Sequence, residues 1–590
     1  MQPEAHPHSS HSKVPFECKN MYTASSHRYY FSWFGLQATE FVCANLKTKD
    51  GQPMFASLPG GNMSVRNAIV LLLAFSTILF LAGCGSSSPK TIAPPSGGFS
   101  KASLSGTYVF STAGSDATTG DPLNIVGAFV ADGNGSVKSG SIDVVDVGLG
   151  VSSNQAITGG SYSITPDGRG VVQLNASTVL ASGLGLDIVL SSSSHGLVTE
   201  FDGAGTGSGT IDLQSSSSAL TGSYSFNLSG TGSTTSFEAA GSLTLGGSGN
   251  VTAGLVDFLD GTSGTLDLPI GATSTVLVGT GTAPGTAQLV TTSRTIPFDV
   301  YVIDSTHFKL IETDTQFFSS GDAYAAATSL PTSGTLAFTM TGFNLTTSPN
   351  NPLALGGLMP VGAGSIIAAG GVEDFNDGGN VNEDTTFAGG FTALTGGRSV
   401  LSLTGFVNGA ANDIAGTYSF AAYPFTSNGV SGFELLEIDG LGVTSGAAFI
   451  QTSTTFAASQ GYGLNLGGIN VTGGAGAYFE EDDIAEFQTT SSSYSGIVDV
   501  NDEGMTSFKQ TLAGSYAAAG TGRFTATTTK FFNFNFYPVD ASTFLLLETD
   551  AGQIGAGIIE LQNASGSAGP EPGLSIVRSA ARAHAVLRRK

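Results

Sequence analysis

Residues 140–146 read GSIDVVD, and residues 496–502 read GIVDVND. Two further copies stand between them, GLVDFLD at 254–260 and GVEDFND at 371–377. The first aspartates are Asp143, Asp257, Asp374 and Asp499, and the second are Asp146, Asp260, Asp377 and Asp502. Successive first aspartates are 114, 117 and 125 residues apart. That period is too long for a solenoid repeat and suits a domain of ~100–150 residues.

Two more motifs keep the same beat. GTYVF (106–110), GSYSF (222–226) and GTLAF (334–338) open units, and GYGLNL (461–466) is an altered fourth copy. Glu-x-Asp closes each unit at Glu200, Glu312, Glu437 and Glu548, the last three within FKLIETD, FELLEID and FLLLETD. Three motifs in constant order define four units, 101–216, 217–330, 331–453 and 454–563, following one another like beads.

Unit one divides at DGNG (132–135), TPDG (165–168) and FDGAG (201–205) into eight pieces of about ten residues. Asn-Gly and Asp-Gly accept positive φ and are strong hairpin signals. Charged residues are only 11% of the chain and Gly is 83 of 590, which disfavours helices. The expected fold is all-β: four tandem antiparallel domains, each an eight-stranded up-and-down barrel, with a two-sheet sandwich as the alternative. Closure into a barrel removes exposed strand edges.

Strand parity turns the first Asp of each motif away from its apolar neighbours. The second Asp meets a turn, where an Asx cap is expected. Each unit holds a single arginine, Arg169, Arg294, Arg398 or Arg523, and Arg294 alone does not follow glycine. The closing Glu shares a strand face with Phe and Leu, so it is expected inside a barrel end, paired with the Arg of its own unit or, through it, with the motif Asp.

Before the units, residues 63–89 read MSVRNAIVLLLAFSTILFLAGCGSSSP. Arg66 precedes an apolar run of 68–83, short for a membrane span and suited to a signal segment. Leu81-Ala82-Gly83-Cys84 resembles the lipobox of bacterial lipoproteins. That resemblance implies a signal helix over 63–84, lipidation of Cys84, a membrane partner through that anchor, and a cell-envelope location. Gly85 rather than Asp after the cysteine implies the outer membrane. Residues 1–62 precede this signal and hold the only Trp, Trp33; they read as disordered, or as a mis-assigned extension ahead of a true translation start at Met63. Residues 85–100 are a Ser/Pro/Gly-rich linker, and 564–590 form a basic tail with Arg578, Arg582, Arg588, Arg589 and Lys590.

A formal net charge of −24 excludes nucleic acid as a natural partner. After Cys84 no cysteine remains, so the exported body is held by cores and sheets alone. His195 and His307 are isolated, and no catalytic or cofactor motif is present. No cofactor is implied. No metal is expected, since no EF-hand or nonapeptide calcium spacing is present; Asp499, Asn501 and Asp502 are the oxygen donors that calcium would use. The reading that follows is a non-enzymatic envelope lipoprotein acting as a surface binding, adhesion or spacer module with an unidentified partner. A lipocalin-like carrier of small apolar or sugar ligands is the alternative, and a carbohydrate-active enzyme a third.

Overall fold

A computed structural model describes residues 98–565, apart from 233–234, 262, 328, 348–349, 407–416, 473–477, 521 and 530. The leader, Cys84, nearly all of the 85–100 linker and the basic tail lie outside the described residues.

The described chain is all-β. Barrel 1 comprises β1 (Ser105–Asp116), β2 (Pro122–Asp132), β3 (Ser136–Asp146), β4 (Gly150–Ile157), β5 (Gly160–Ile164), β6 (Arg169–Leu174), β7 (Leu184–Leu190), β8 (His195–Phe201) and β9 (Gly205–Leu213). Barrel 2 comprises β10 (Gly222–Thr231), β11 (Ser236–Leu245), β12 (Val251–Asp260), β13 (Ser263–Pro269), β14 (Thr275–Leu277), β15 (Gly285–Val290), β16 (Thr295–Val302), β17 (His307–Glu312) and β18 (Phe318–Ala325). Barrel 3 comprises β19 (Gly334–Asn344), β20 (Asn351–Gly362), β21 (Ile366–Asp377), β22 (Asn380–Ala393), β23 (Ser399–Thr404), β24 (Thr417–Ser427), β25 (Val430–Glu437) and β26 (Gly442–Ile450). Barrel 4 comprises β27 (Gly461–Asn470), β28 (Phe479–Thr489), β29 (Ser493–Asp502), β30 (Met505–Ala518), β31 (Phe524–Thr528), β32 (Phe534–Pro538), β33 (Thr543–Glu548) and β34 (Gln553–Leu561).

Each barrel is an antiparallel meander whose last strand pairs with its first. Barrels 3 and 4 close with eight strands. In barrels 1 and 2 the fourth strand is broken in two. β4 and β5 both pair with β3 across the Gly159–Gly160 break. In barrel 2 the ring closes where Val251 N–H donates to Ser274 O (3.0 Å) and Val276 N–H to Gly249 O (2.7 Å). The break follows Pro269, which has no N–H to give a ladder.

The opening motif fills the barrel axis. Phe110, Phe226 and Phe338 point inward and lie opposite Gly127, Gly241 and Gly357 of the neighbouring strand. A Cβ on Gly127 would stand 2.8 Å from the Phe110 ring. In barrel 4 the aromatic is replaced by Leu464, and its partner is Ala485. The smaller side chain leaves room for a methyl, so the altered fourth copy changes both members of one contact. Around these residues each barrel has its own apolar core, such as Ile125, Ile142, Leu186 and Val198 in barrel 1 or Phe487, Phe534, Phe536 and Phe544 in barrel 4. Side chains of this size contribute ~1.5–3 kcal/mol each when buried.

The barrels are not separate beads. β2 and β3 pack on β16–β18; β10 and β11 pack on β24–β26; β19–β21 pack on β32–β34; β27 and β28 pack on β7–β9. Each barrel thus offers its early strands to the late strands of the next, and barrel 4 offers its own to barrel 1. Repeated head-to-tail contacts of this kind close into a ring when the rotation permits, and here four units complete the circuit. Apolar seams line the junctions: Val109, Val126 and Val145 against Tyr301, Ile303 and Ile311; Leu259 against Tyr423 and Leu436; Ala354 and Leu358 against Leu545 and Leu547; Val189 and Leu197 against Ile484 and Ile558. Double-sided burial explains why β7, β17 and β33 are buried at every position, whereas β15 and β23 alternate.

Candidate functional site

The repeated aspartate motif, GSIDVVD and its three copies, lies at these junctions. In every barrel the strand register breaks at the first Asp, between 142 and 144, 256 and 258, 373 and 375, and 498 and 500. The residue facing each break is left-handed and not glycine: Asn154, Asp267, Asp384 and Lys509, with φ of 49°, 57°, 59° and 52°. Such a backbone costs roughly 1–2 kcal/mol. The Asp offsets that cost by accepting its N–H, from Asp267 to Asp257 Oδ1 (2.7 Å), from Asp384 to Asp374 Oδ1 (2.9 Å), and likewise from Asn154 to Asp143 and Lys509 to Asp499. A charge-assisted bond is roughly twice as strong as a neutral one.

The second carboxylate oxygen faces the next barrel. Arg398 Nε lies 2.6 Å from Asp257 Oδ2, and Tyr423 Oη donates to the same oxygen at 2.7 Å. Arg523 grips Asp374 with Nε (2.7 Å) and Nη2 (2.8 Å) and reaches Asp384 with Nη1 (2.8 Å), while Tyr537 Oη also donates to Asp374. Burial alone would lower both guanidinium values, but the facing carboxylates outweigh it and hold Arg398 and Arg523 above their usual range.

The two junctions of barrel 1 differ. Asp143 faces Asp299 and Tyr301 of barrel 2, and burial first, then Asp299, pushes its carboxyl up to about 7. Asp499 faces Asp187 of barrel 1; burial and then Asp499 push Asp187 up to about 8. Arg169 stands farther off, with Nη1 3.9 Å from Asp499 and Nε 3.4 Å from Asp167. Arg294 stays within barrel 2, its guanidinium 4.7 Å from the Phe258 and Phe317 ring centres.

The arginines therefore do not pair with the closing Glu of their own units. Arg398, Arg523 and Arg169 reach back to the first Asp of the barrel before. Glu200, Glu312, Glu437 and Glu548 are buried inside the barrel ends. Ser319 Oγ donates to Glu312 (2.6 Å), and Thr444 Oγ1 donates to Glu437 (2.6 Å). Burial is the main cause that raises Glu200, Glu312 and Glu548 well above the usual carboxylate range.

The second Asp caps a turn in barrel 1, where Asp146 Oδ1 accepts the N–H of Gly148 (2.6 Å) and Leu149 (2.8 Å). Asp260 instead accepts Thr235 Oγ1. In barrels 3 and 4 the turn cap belongs to the preceding asparagine: Asn376 Oδ1 accepts from Gly379 (3.2 Å) and Asn501 Oδ1 from Gly504 (2.8 Å). Asparagine carries the same acceptor without a charge to desolvate, and Asp377 and Asp502 turn inward on the opposite parity.

The calcium candidates do not converge. Asp499 faces barrel 1 across the junction. Asn501 spends its amide on the carbonyls of Glu200 (2.7 Å) and Gly205 (2.9 Å), and Asp502 lies on the other face of β29. Among the described residues no group of three or more His, Cys, Asp or Glu is placed to hold a metal ion.

Two sets of junction residues escaped the sequence reading. His195 and His307 are not isolated. His195 Nδ1 is 2.5 Å from Asp212 and its Nε2 3.0 Å from Glu560 of barrel 4. Lys309 bonds Asp322 (2.8 Å) and Thr210 of barrel 1 (2.9 Å), with His307 3.0 Å from the same Asp322. Burial favours a raised Asp212, but His195 and Lys309 outweigh it and hold the carboxyl low. The second set is Gln214, Gln451 and Gln562. Each stands 14 residues after its unit's closing Glu, a spacing visible in the sequence. Gln214 Nε2 donates to Val302 O (2.7 Å), Gln451 to Pro538 O (2.6 Å) and Gly522 O (3.2 Å), and Gln562 to Asp167 O (2.7 Å) and Leu190 O (3.1 Å). Every one of these bonds crosses to the following barrel.

The protein is thus an all-β assembly of four closed antiparallel barrels whose repeated polar residues hold the junctions. No family model matches the chain, and no curated protein matches it. Solved structures that match include intact Ap-TbpB with its N and C lobes (9% identity, 78% of this chain and 95% of that one, TM-score 0.17). Two others are variants of the vaccine antigen Transferrin Binding Protein B from Haemophilus parasuis Hp5. The Trp-176-Ala mutant has 9% identity, covers 78% and 96% of the two chains and has a TM-score of 0.17; the Tyr-167-Ala, Trp-176-Ala double mutant has 8% identity, 64% and 84% coverage and a TM-score of 0.14. At these TM-scores the likeness carries no argument about what this chain binds.

Proposed function

We propose that the protein is a non-enzymatic lipoprotein of the outer membrane, anchored through Cys84, whose four-barrel body is a surface platform for binding or adhesion. The observation that carries this reading is the closed ring with filled barrels. Aromatic and aliphatic side chains occupy the barrel axes, so recognition falls to outer surfaces and junctions rather than to a carrier's lumen. A ring also gains little reach, which favours a binding platform over a spacer.

The two ends of the four-barrel body support the same arrangement. Phe99 and Gln562 both pack against Gly168 of barrel 1, and Asn563 N–H donates to Ser191 O (2.7 Å). Both ends of the four-barrel body thus lie on barrel 1, the barrel to which the linker from Cys84 is joined in sequence.

The test has two parts. Radiolabelled palmitate should enter the wild-type chain and not Cys84→Ala, which should leave the membrane fraction. Purified Cys84→Ala body should then bind isolated cell envelopes saturably. Label that persists in the variant overturns the anchor; absence of saturable envelope binding overturns the platform.

A further inference from the structure

Three of the four junctions are closed by one device, and the fourth is not. Gln214, Gln451 and Gln562 each follow the last strand of a barrel, their own N–H donated to Thr107 O (2.8 Å), Thr335 O (2.7 Å) and Gly461 O (2.9 Å). Their side chains fill the space beside the next barrel. The corresponding residue of barrel 2 is Ala326, with the same backbone bond to Ser223 O (2.8 Å). Alanine cannot cross, and a cleft of about 650 Å³ lies there between barrels 2 and 3. That is within the ~300–1,000 Å³ usual for small-molecule sites.

The lining defines what fits. Leu255, Leu394 and Ala326 give apolar lining, and Gly397 and Arg398 line the same cleft. Arg523, the counterpart of Arg398 at the next junction, uses Nε, Nη1 and Nη2 on carboxylates. Among the described residues Arg398 hydrogen-bonds through Nε alone, which leaves its Nη groups as donors. Asp257 and Asp267 (3.3 Å) already face Arg398, one cation against two carboxylates, and this disfavours an anion. Gly397 precedes Arg398 as Gly522 precedes Arg523, and the Gly522 carbonyl accepts from Gln451.

We propose that the cleft between barrels 2 and 3 binds a small neutral molecule with a carboxamide head and an apolar body. The amide N–H₂ donates to the Gly397 carbonyl, as Gln451 does to Gly522 at the junction of barrels 3 and 4. The amide oxygen accepts from the Arg398 Nη groups, and the apolar body lies on Leu255, Leu394 and Ala326. The site is independent of the anchor and of any envelope partner.

The test titrates hexanamide into the wild-type protein and Ala326→Gln, followed by calorimetry and thermal melting. Wild type should bind saturably with Kd of about 1 mM, the range for a ligand of this size. Ala326→Gln should melt higher than wild type and bind at least about tenfold more weakly. Leu394→Ser, at an exposed position, should weaken binding about threefold without changing the melting temperature. It decides the matter if Ala326→Gln folds poorly. No saturable binding by wild type, equal binding by Ala326→Gln, or unchanged binding by Leu394→Ser beside a misfolded Ala326→Gln overturns the assignment.

Discussion

Arg523 and Asp374 are 149 residues apart and belong to different barrels, yet Nε and Nη2 of one grip both carboxylate oxygens of the other at 2.7 and 2.8 Å. The pair is buried, and Asp374 also holds the left-handed backbone of Asp384. One carboxylate thus links a bulge inside barrel 3 to the attachment of barrel 4.

Removing the cation strands that carboxylate. Arg523→Ala is expected to lower stability by about 3–5 kcal/mol, the cost of breaking a buried pair. Asp374→Asn in the same chain should recover part of the loss, because an amide keeps an acceptor without the charge. Urea denaturation checks both; a loss below about 1 kcal/mol would mean that the contact behaves as a surface pair.

The carboxyl pairs around barrel 1 predict a pH dependence of opposite origin. Asp143 rises from 3.8 to about 7 and Asp187 from 3.8 to about 8 on folding, chiefly through burial. Each therefore binds its proton more tightly in the folded state. Their contribution is fully present below pH 3.8 and is lost as pH rises toward 7 and 8. Melting temperature should fall across that window, and Asp143→Asn combined with Asp187→Asn, which removes both titrating groups, should flatten the fall. An identical slope in the double variant would assign the dependence to other groups.

Within a barrel, Gly127→Ala drives a methyl into the Phe110 ring and toward Ser141 O, each 2.8 Å away. A cost of about 1–3 kcal/mol is expected. Phe110→Leu should rescue part of it, reproducing the Leu464 and Ala485 pair of barrel 4. A double-mutant cycle measures the coupling, and additive losses would show that the two side chains do not compete for one space.

Ring closure has its own reporter. Gln562→Ala frees the carbonyls of Asp167 and Leu190 at the junction of barrels 4 and 1. The expected loss is about 1–3 kcal/mol, with faster amide exchange of Asn563, whose N–H bonds Ser191 O in the same junction. Unchanged exchange there would mean that the apolar seam of Val189, Leu197, Ile484 and Ile558 closes the ring without the glutamine.

Much of the barrel was legible because its determinants are local. Asp132-Gly133 and Asp167-Gly168 supply positive φ where hairpins turn, at Gly133 (74°) and Gly168 (86°). Alternation along β6 marks a strand wet on one side, and the parity of Asp143 against Ile142 and Val144 turned it outward as expected. The closing Glu was correctly placed on the inner face, but its partner was not. In a charge-poor unit the nearest cation in sequence was its own Arg, whereas Arg398 and Arg523 point outward and meet another barrel.

The sequence by itself determined the strand count, the turns, the four-fold repetition and which side of each strand a residue takes, since all of these follow from side-chain period and backbone preference within about ten residues. Tertiary structure alone decided that the outward faces are buried against one another. It decided that Asp257 and Asp374 find arginines while Asp143 and Asp499 find other carboxyls, and that Ala326 borders a cleft where glutamine closes the other junctions. Period assigns a side chain to a face; which surface then covers that face depends on the relative placement of whole barrels, a contact between residues too distant in the chain for any local pattern to record.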